Sequence, residues 1–446
     1  MAHKALIIGG GISGLSTAYY LSKAGVHPVL IEKAPRVGGV IQTTVQQDCV
    51  LEAGPDGFMA AKPWAMNLIR ELGLADQVIG SNDHSRVTYI LKKGRLIPMP
   101  DGLMMMVPTK IMPLVGTSLL SWGTKIRMGL EFLRRPKGKQ PDRSVHDFLL
   151  DHYGQESIDY LAEPLLAGVY GGDPRQMSVN SVLARFTEIE AKYGSLTRGV
   201  LAQPRPKGGG SGSFLLSLKQ GMGQLIDKLR PFAEVVQGRA ETLERTADGY
   251  RVRVDGEWME TEHLVLAATA QESAKLLGDS QKELAGLLAA VPYTSSITLA
   301  LGYEKSTFDH PLDGHGFLVP KRERKYILGC TWVGNKFDHR VADGKVLLRC
   351  FMGGDALPLT DEALVEAARE ELRRIMGLEA RPIFHSIARW PNSMAQYTVG
   401  HAQRLEQIFA ITQALPQLHL AGNGYQGIGI PDCIRMGKEA AERITC

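Results

Sequence analysis

The sequence predicts a mixed α/β protein, and three observations support this fold class. The first 32 residues follow the order strand, glycine turn, helix and strand, which is the order of a βαβ unit. Residues 241–267 alternate polar and apolar side chains between Asp-Gly pairs, which is typical of antiparallel hairpins. A short strand, a glycine-rich loop and a final helix close the chain. We therefore expect one domain to be assembled from pieces at both ends and in the middle.

The N-terminal unit shows the pattern of two parallel strands joined by a helix. Residues 5–8 are wholly apolar, as in a strand buried on both faces. Leu15, Ala18 and Leu21 then recur at helical spacing, and Gly25 ends that helix. Residues 28–31 form a second apolar strand that ends at Glu32.

A glycine fingerprint joins the first strand to the first helix. Gly9, Gly11 and Gly14 spell G-x-G-x-x-G: the first permits the tight turn, the second lets the backbone approach a pyrophosphate, and the third allows close helix–strand packing. The helix N-terminus offers free N–H groups to the phosphates. Glu32 stands where a carboxylate accepts hydrogen bonds from ribose hydroxyls. The sequence therefore predicts a dinucleotide site.

Glycine is the outlier of the composition, and its positions favour FAD over a nicotinamide cofactor. The chain has 49 glycines in 446 residues, whereas soluble domains average about 7%. Residues 36–39 form a second glycine turn beside the same pyrophosphate, and residues 52–57 form a third close-approach loop. Residues 422–432 supply another backbone-rich loop, with a helix dipole that faces a flavin carbonyl.

Capping and periodicity predict the remaining elements. Ser144 begins a helix as its N-cap, and Thr360 caps a long amphipathic helix that ends before Gly377. The Gly/Ser-rich residues 208–213 form the most visible boundary. Further helices are predicted over 64–72 and 214–229, and strands over 263–268, 296–303, 316–319, 346–351 and 418–421.

Composition excludes several classes of protein. Lys and Arg number 51 against 47 Asp and Glu, a net charge of +4, which is too even for a nucleic-acid-binding protein. The five cysteines are scattered and form no C-x-x-C pair, so we expect neither a disulfide framework nor a metal site, and a reducing cytoplasm fits. The most apolar stretch, residues 103–122, is interrupted by Pro108, Lys110 and Pro113. We therefore do not expect this stretch to form a membrane-spanning helix.

These motifs resemble the bacterial-type protoporphyrinogen/coproporphyrinogen oxidase family, within the flavin amine-oxidase superfamily. Residues 7–14 and 35–39 mark the superfamily only. Where the family usually has Ser after Gly-Pro-Asp, this chain has Gly57. The segments typical of the family run through nearly the whole chain: 54–58, 98–102, 107–110, 163–173, 389–397, 399–401 and 429–433.

The resemblance implies a discontinuous Rossmann-like FAD domain, a mixed-sheet substrate-binding domain and a helical membrane-associating domain. The FAD domain is expected over residues 1–48, 214–285 and 406–446. The substrate-binding domain is expected over residues 49–61, 83–100 and 286–405. The helical domain is expected over residues 62–82 and 101–213.

The resemblance also implies an activity. A porphyrinogen is oxidised to a porphyrin by O2, with six electrons removed in three flavin cycles and hydrogen peroxide released. Hydride loss from a methylene bridge activated by pyrrole nitrogens needs mainly positioning, so no catalytic side chain and no metal ligand are assigned. The same resemblance is compatible with a homodimer and with hand-off of the product to a ferrochelatase.

Site residues carry over by position. Lys62 is the candidate partner of a substrate propionate, and Gly168 would let the macrocycle lie close to backbone. The predicted cofactor contacts are Gly9, Gly10, Gly11, Ile12, Ser13, Gly14, Glu32, Lys33, Arg36, Gly38, Gly39, Val40, Gly54, Pro55, Asp56, Gly57, Ala240, Trp390, Gly422, Ile428, Gly429 and Ile430.

Residues 103–120 are rich in Met, Leu and Ile and are flanked by Lys110, Lys125 and Arg127. They predict a peripheral membrane contact on the cytoplasmic face; the alternative is that they line the substrate cavity or core. Lys62 is the one cation that the motifs place at the pocket. This favours protoporphyrinogen IX, with two propionates, over coproporphyrinogen III, with four.

Three other interpretations stay open. A flavin amine oxidase shares the fingerprint and the second glycine turn, but it needs an aromatic cage and leaves the family-typical segments without a role. A carotenoid-type desaturase is distinguished by a long apolar tunnel. A carrier that binds FAD and porphyrin without turnover is a hypothesis from a different class.

Overall fold

The computed structural model describes residues 3–203, 213–308, 310–415 and 417–445. Most of the glycine- and serine-rich boundary at 208–213 lies outside them, as does Cys446. The strands are β1 His3–Ile8, β2 Val29–Glu32, β3 Thr43–Gln46, β4 Cys49–Glu52, β5 Phe58–Met59, β6 Val78–Gly80, β7 Thr88–Lys92, β8 Arg95–Pro98, β9 Leu103–Met104, β10 Val107–Pro108, β11 Leu215–Leu218, β12 Glu234–Gln237, β13 Ala240–Arg245, β14 Tyr250–Val254, β15 Glu257–Leu266, β16 Tyr293–Glu304, β17 Gly316–Leu318, β18 Ile327–Trp332, β19 Lys345–Met352, β20 Phe384–Ala395 and β21 Leu418–Leu420.

The α-helices lie between these strands and at the end of the chain. They are α1 Ile12–Lys23, α2 Pro63–Glu71, α3 Ile111–Gly116, α4 Trp122–Leu130, α5 Val145–His152, α6 Gln155–Ser157, α7 Glu163–Tyr170, α8 Val179–Val182, α9 Ala184–Tyr193, α10 Leu196–Ala202, α11 Gly223–Leu229, α12 Ala270–Leu277, α13 Lys282–Ala289, α14 Val333–Lys336, α15 Asp361–Met376, α16 His401–Gln413 and α17 Ile430–Thr445.

The first large sheet confirms the mixed α/β class. Its order is β12-β2-β1-β15-β14-β13, with β21 beside β15. Strands β12, β2, β1, β15 and β21 pair in parallel, and β15, β14 and β13 form the predicted antiparallel meander. Helices α1 and α17 pack against each other, and their buried residues share a core with these strands. Since the carboxyl ends of β1, β2 and β15 meet at one edge, the loops that follow them converge there.

The second large sheet is mainly antiparallel, with the order β20-β16-β19-β18-β17-β7-β8. Only β17 and β7 pair in parallel among its described strands. The buried face of α15 packs on it, with Leu364, Ala368 and Leu372 fully enclosed in a separate core. Thr360 accepts the N–H of Ala363 at the start of α15, as the N-cap pattern predicts.

Helices α3 to α10 form the third part and bury their own core. Three polar side chains, Glu131, His152 and Glu190, are buried among these helices. His152 is enclosed, with Nδ1 2.8 Å from Glu131 Oε1 and Nε2 3.2 Å from Glu190 Oε1. Glu131 also accepts the backbone N–H of Leu196 at 2.7 Å. The buried carboxylates are therefore hydrogen-bonded, as buried charges must be to be tolerated.

One segment packs differently from the expected domain division. The resemblance implies that residues 62–82 belong to the helical domain. In the structure, however, Leu68 and Ile69 of α2 belong to the core of the first sheet. Helix α2 contacts the C-terminal helix α17, and the buried residues of both helices belong to the same core. Of the described helices, none combines the length and the apolar character needed to cross a bilayer.

Candidate functional site

The fingerprint glycines occupy three different environments. Gly9 has φ +109°, and a Cβ there would lie 2.8 Å from the carbonyl carbon of Ala267. A Cβ on Gly14 would lie 2.0 Å from the carbonyl oxygen of Gly9, so only glycine lets α1 approach β1 this closely. A Cβ on Gly11 would meet no described protein atom within 4 Å. The backbone of Gly11 thus faces open space that a pyrophosphate can fill.

Glu32 ends β2 and borders the same space. Its two carboxylate oxygens accept the N–H groups of Gly10 at 2.7 Å and Ala34 at 2.8 Å. These bonds fix the carboxylate and leave lone pairs for ribose hydroxyls. Lys33 also lines the space, and its ammonium lies 3.5 Å from Glu272.

The second glycine turn lies directly against the first. The N–H of Gly38 donates to the carbonyl of Gly10 at 2.7 Å, and a Cβ on Gly39 would lie 3.3 Å from Cα of Gly11. Arg36 does not line the cavity. Its guanidinium donates to the carbonyls of Val37, Gly39 and Ile41, so it holds the turn in place. Arg36 therefore stabilises the backbone of the second glycine turn and does not contact the cavity itself.

The third loop continues the same wall. A Cβ on Gly54 would lie 1.8 Å from the carbonyl oxygen of Val40, so the loop packs against the second turn. Nε1 of Trp390 donates to the carbonyl of Ala53 at 2.7 Å. Trp390, one of the cofactor contacts that the resemblance implies, therefore lies at this loop and lines the cavity.

Asp56 anchors the end of this loop. Its carboxylate lies 2.8 Å from Nζ of Lys336 and 3.3 Å from the guanidinium of Arg349. Burial alone would raise the pKa of Asp56, but the two cations outweigh burial and hold the pKa well below its ordinary value. Asp56 is therefore ionised throughout the physiological range.

One cavity of about 2440 Å³ joins these loops. It exceeds the roughly 300–1,000 Å³ of usual ligand pockets, so it has room for a dinucleotide and a second ligand. Gly10, Gly14 and Arg36 do not line it, whereas the other predicted cofactor residues do: Gly9, Gly11, Ile12, Ser13, Glu32, Lys33, Gly38, Gly39, Val40, Gly54, Pro55, Asp56, Gly57, Ala240, Trp390, Gly422, Ile428, Gly429 and Ile430.

Both predicted substrate residues line the cavity, but in surroundings that the sequence did not show. Nζ of Lys62 lies 2.6 and 2.8 Å from the two carboxylate oxygens of Asp432, in the first turn of α17. The Lys62 ammonium therefore already has a partner. Gly168 lies inside α7 rather than in a turn, and a Cβ there would approach Leu318 to 3.4 Å.

The part of the cavity that is lined by Lys62 and by residues 86–105, 163–186 and 316–329 is called the outer cavity below, and it contains cations that the sequence motifs did not indicate. Arg324 pairs with Glu163 at 2.8 Å, whereas the ammonium of Lys321 is 3.4 Å from Asp173. Only the basic run 321–325 gave a signal in the sequence. The cations that line the outer cavity, besides Lys62, are Arg86, Arg185, Lys321, Arg324 and Lys325.

The other walls of the outer cavity are largely apolar. They come from β9, from α7 to α9 and from β17, elements far apart in sequence. A flat apolar ligand with charged edges suits such walls. The apolar side chains include Met99, Leu103, Met104, Val169, Leu183, Phe186 and Leu318.

Comparison with known proteins gives consistent matches. The model of the flavin containing amine oxidoreductase family matches residues 12–445. Coproporphyrinogen III oxidase of Bacillus subtilis (strain 168) is 33% identical, over 98% of this chain and 96% of that protein. Protoporphyrinogen oxidase of Bos taurus is 30% identical, over 100% of this chain and 98% of that protein. A crystal structure of a provisionally assigned protoporphyrinogen oxidase from Exiguobacterium sp. 255-15 superposes with a TM-score of 0.88 at 28% identity, covering 100% of this chain and 99% of that one.

Proposed function

The chain belongs to the flavin-containing amine oxidoreductase family, and from this premise we propose that it oxidises coproporphyrinogen III to coproporphyrin III with O2. Its cofactor is FAD: the family is flavin-containing, and the open backbone at Gly11 and the fixed carboxylate of Glu32 fit a dinucleotide. The protein is thus an oxidoreductase. The porphyrinogen, and its four propionates, are the proposal.

The cationic outer cavity is the observation that carries this choice of substrate. The sequence alone favoured protoporphyrinogen IX, because Lys62 was the one cation that could be placed. In the outer cavity the structure adds five cations among the described residues, in the loop between β17 and β18, on α9 and in the segment before β7. Several of their ion pairs are loose, such as Lys321–Asp173 at 3.4 Å and Lys325–Glu370 at 3.7 Å. Exposed pairs of this kind contribute at most about 1 kcal/mol, so carboxylates of a ligand can replace them.

The relatives support the same preference. Proteins named coproporphyrinogen III oxidase, from Bacillus subtilis and Staphylococcus aureus, match at 33% and 30% identity over nearly their full lengths. Protoporphyrinogen oxidase of Bos taurus also matches at 30%. Protoporphyrinogen IX is therefore the competing substrate in the test below.

The residues of this chain position the reaction rather than exchange protons. FAD, when bound, supplies a hydride acceptor that is reoxidised by O2. The apolar side chains of Leu183, Phe186 and Leu318 line the space for the macrocycle and keep water away from it. Gly168 leaves space above α7, and the rim cations hold the propionates at the cavity mouth. The pyrrole nitrogens activate the bridging carbon, so correct placement supplies much of the rate enhancement.

The test is turnover of coproporphyrinogen III and protoporphyrinogen IX, side by side, followed by porphyrin fluorescence. We expect kcat/KM to favour coproporphyrinogen III by about tenfold, which corresponds to about 1.4 kcal/mol. The double variant K321A/K325A should lower kcat/KM for coproporphyrinogen III by about tenfold, since each lost pair costs up to about 1 kcal/mol, and should affect the two-propionate substrate less.

Lys438→Ala is the matched control, because Lys438 is a half-buried α17 lysine 3.7 Å from Glu442 and does not line the cavity. Equal or reversed kcat/KM values would contradict the proposed substrate. Anaerobic mixing with each porphyrinogen separates an enzyme from a carrier, because only an enzyme bleaches its flavin. Flavin bleaching by a simple primary amine alone would favour a flavin amine oxidase.

A further inference from the structure

Five charged side chains lie together behind the third glycine loop: Glu52, Arg340 and Arg349 are buried, whereas Asp56 and Lys336 are half-buried. Arg340 pairs with Glu52 at 2.9 Å. Lys336 and Arg349 share Asp56, at 2.8 and 3.3 Å. The guanidinium of Arg349 also donates to the carbonyl of Gly54. The cluster therefore links β19 and α14 to the loop that borders the cavity.

The cluster contains one more positive than negative charge. Arg340, Arg349 and Lys336 are cations, whereas Glu52 and Asp56 are the two carboxylates. Arg349 is 4% exposed, and its Nε has no hydrogen-bond acceptor among the described residues. An unbalanced buried charge costs several kcal/mol unless an anion compensates it. A further negative charge close to the cluster would therefore be stabilised.

The position of the cluster suggests the answer. The walls of the cavity follow one another by direct contact, from Gly11 to Gly39 and from Val40 to Gly54. Asp56 and Arg349 come next along the wall, and Lys336 and Trp390 line the cavity there as well. Glu32, the predicted ribose carboxylate, contacts the first turn through Gly10 and therefore stands at the other end of this series of contacts. The cluster therefore borders the flavin half of the FAD site.

We propose that Arg349, held in place by Asp56, sets the electrostatic potential at the flavin and thereby raises its reduction potential. A flavin that accepts a hydride gains one negative charge, and the uncompensated cation stabilises that charge. Asp56 is a positioning residue in this arrangement, since it orients Arg349 and partly neutralises it. Removal of either side chain should therefore shift the potential, in opposite directions.

The experiment measures the midpoint potential of the FAD-loaded protein and its affinity for sulfite, an anion that adds to flavins. Arg349→Gln should lower the potential by about 30 mV or more, the equivalent of a tenfold change in equilibrium for a two-electron couple. It should also weaken sulfite binding by about tenfold or more, since the same charge acts on both. Asp56→Asn should raise the potential and tighten sulfite binding.

Arg389→Gln is the matched control. Arg389 lies on β20 next to Trp390, but it pairs with Asp361 on the outside of the sheet and does not line the cavity. It should change neither measurement. The proposal is overturned if R349Q and D56N shift the potential in the same direction, or if neither shifts it while FAD remains bound. Should R349Q fail to fold, the direction of the D56N shift alone decides, because a merely structural role predicts no gain in sulfite affinity.

Discussion

Gly11 and Gly14 lie three residues apart in one turn, yet their side-chain hydrogens face different surroundings. Gly14 faces the carbonyl of Gly9 at a distance that excludes a methyl group. Gly11 has ordinary extended backbone angles, φ −71° and ψ 179°, and no described protein atom nearby. The packing of the protein thus requires glycine at position 14, whereas the ligand requires glycine at position 11.

Alanine at each position should separate these roles. Gly14→Ala should destabilise the apoprotein by roughly 1–3 kcal/mol, the usual cost of forcing extra volume into a packed site. Gly11→Ala should leave the apoprotein stability unchanged but reduce bound FAD, because the methyl group occupies the place of the pyrophosphate. Thermal unfolding of the apoproteins and flavin absorbance per protein check both outcomes.

Gly286→Ala is the control, since Gly286 lies within α13 and a Cβ there meets no described atom within 4 Å. It should retain FAD and gain up to about 1 kcal/mol of stability from helix propensity. Full FAD binding by G11A would show that the pyrophosphate does not pass over this backbone.

At the scale of elements, local patterns predicted local structure well. Strand β1, helix α1 and the meander β13–β15 follow from periodicity and turn residues. The predicted helix over 214–229 is wrong in its first half, where β11 lies between β5 and β6. That strand forms through pairing with residues more than 100 positions away, which no local pattern reveals.

The same reason explains which part of the site could be predicted. The glycine loops are contiguous motifs, so the sequence showed them. Arg86, Arg185 and the run 321–325 meet only because the two sheets and the helices enclose one cavity. Lys62 was found from sequence, but its partner Asp432 lies 370 residues away. Charge balance at the substrate therefore required the tertiary structure.

The junction of α4 and α6 gives a prediction at this scale. Glu156 accepts hydrogen bonds from the hydroxyl and N–H of Ser121, at 2.6 and 2.9 Å, and from Thr124 at 2.6 Å. Burial would raise the pKa of Glu156, but these bonds and Lys92 lower it to about 2. Because the folded pKa is depressed, the stabilisation is present above the ordinary value near 4.5 and is lost as pH falls toward 2.

Glu156→Gln should therefore cost about 1–2 kcal/mol at pH 7, the usual size for hydrogen bonds to a charged group that is partly exposed. The difference from the wild type should narrow as pH falls below about 4.5. Denaturant unfolding at several pH values measures it. Glu188→Gln, at an exposed position of α9, is the control and should leave the stability unchanged at each pH; a difference constant with pH would contradict ionic stabilisation by Glu156.

At the scale of the whole molecule, one side of the helical part is strongly apolar. Trp122, Ile126 and Leu130 recur every four residues along α4 and are 59–66% exposed. Ile111 and Met112 of α3 are 77% and 76% exposed. Exposed large apolar side chains in such number, where they form one patch, mark contact with a membrane or a partner. Met104 and Met105, which precede α3 in the chain, line the cavity.

We propose that this face lies on the cytoplasmic surface of an anionic membrane, with Lys110 and Lys125 at its edge. The wild-type protein should co-float with vesicles that contain anionic lipid. The variant W122E/I126E should remain in the dense fraction, since burying two carboxylates at the lipid interface is unfavourable. Val45→Glu, at an exposed apolar residue of β3, is the matched control and should float like the wild type.

Wild-type protein that remains in the dense fraction with every vesicle composition would contradict membrane contact. A wild-type dimer that W122E/I126E breaks would instead assign the face to a second copy of the chain.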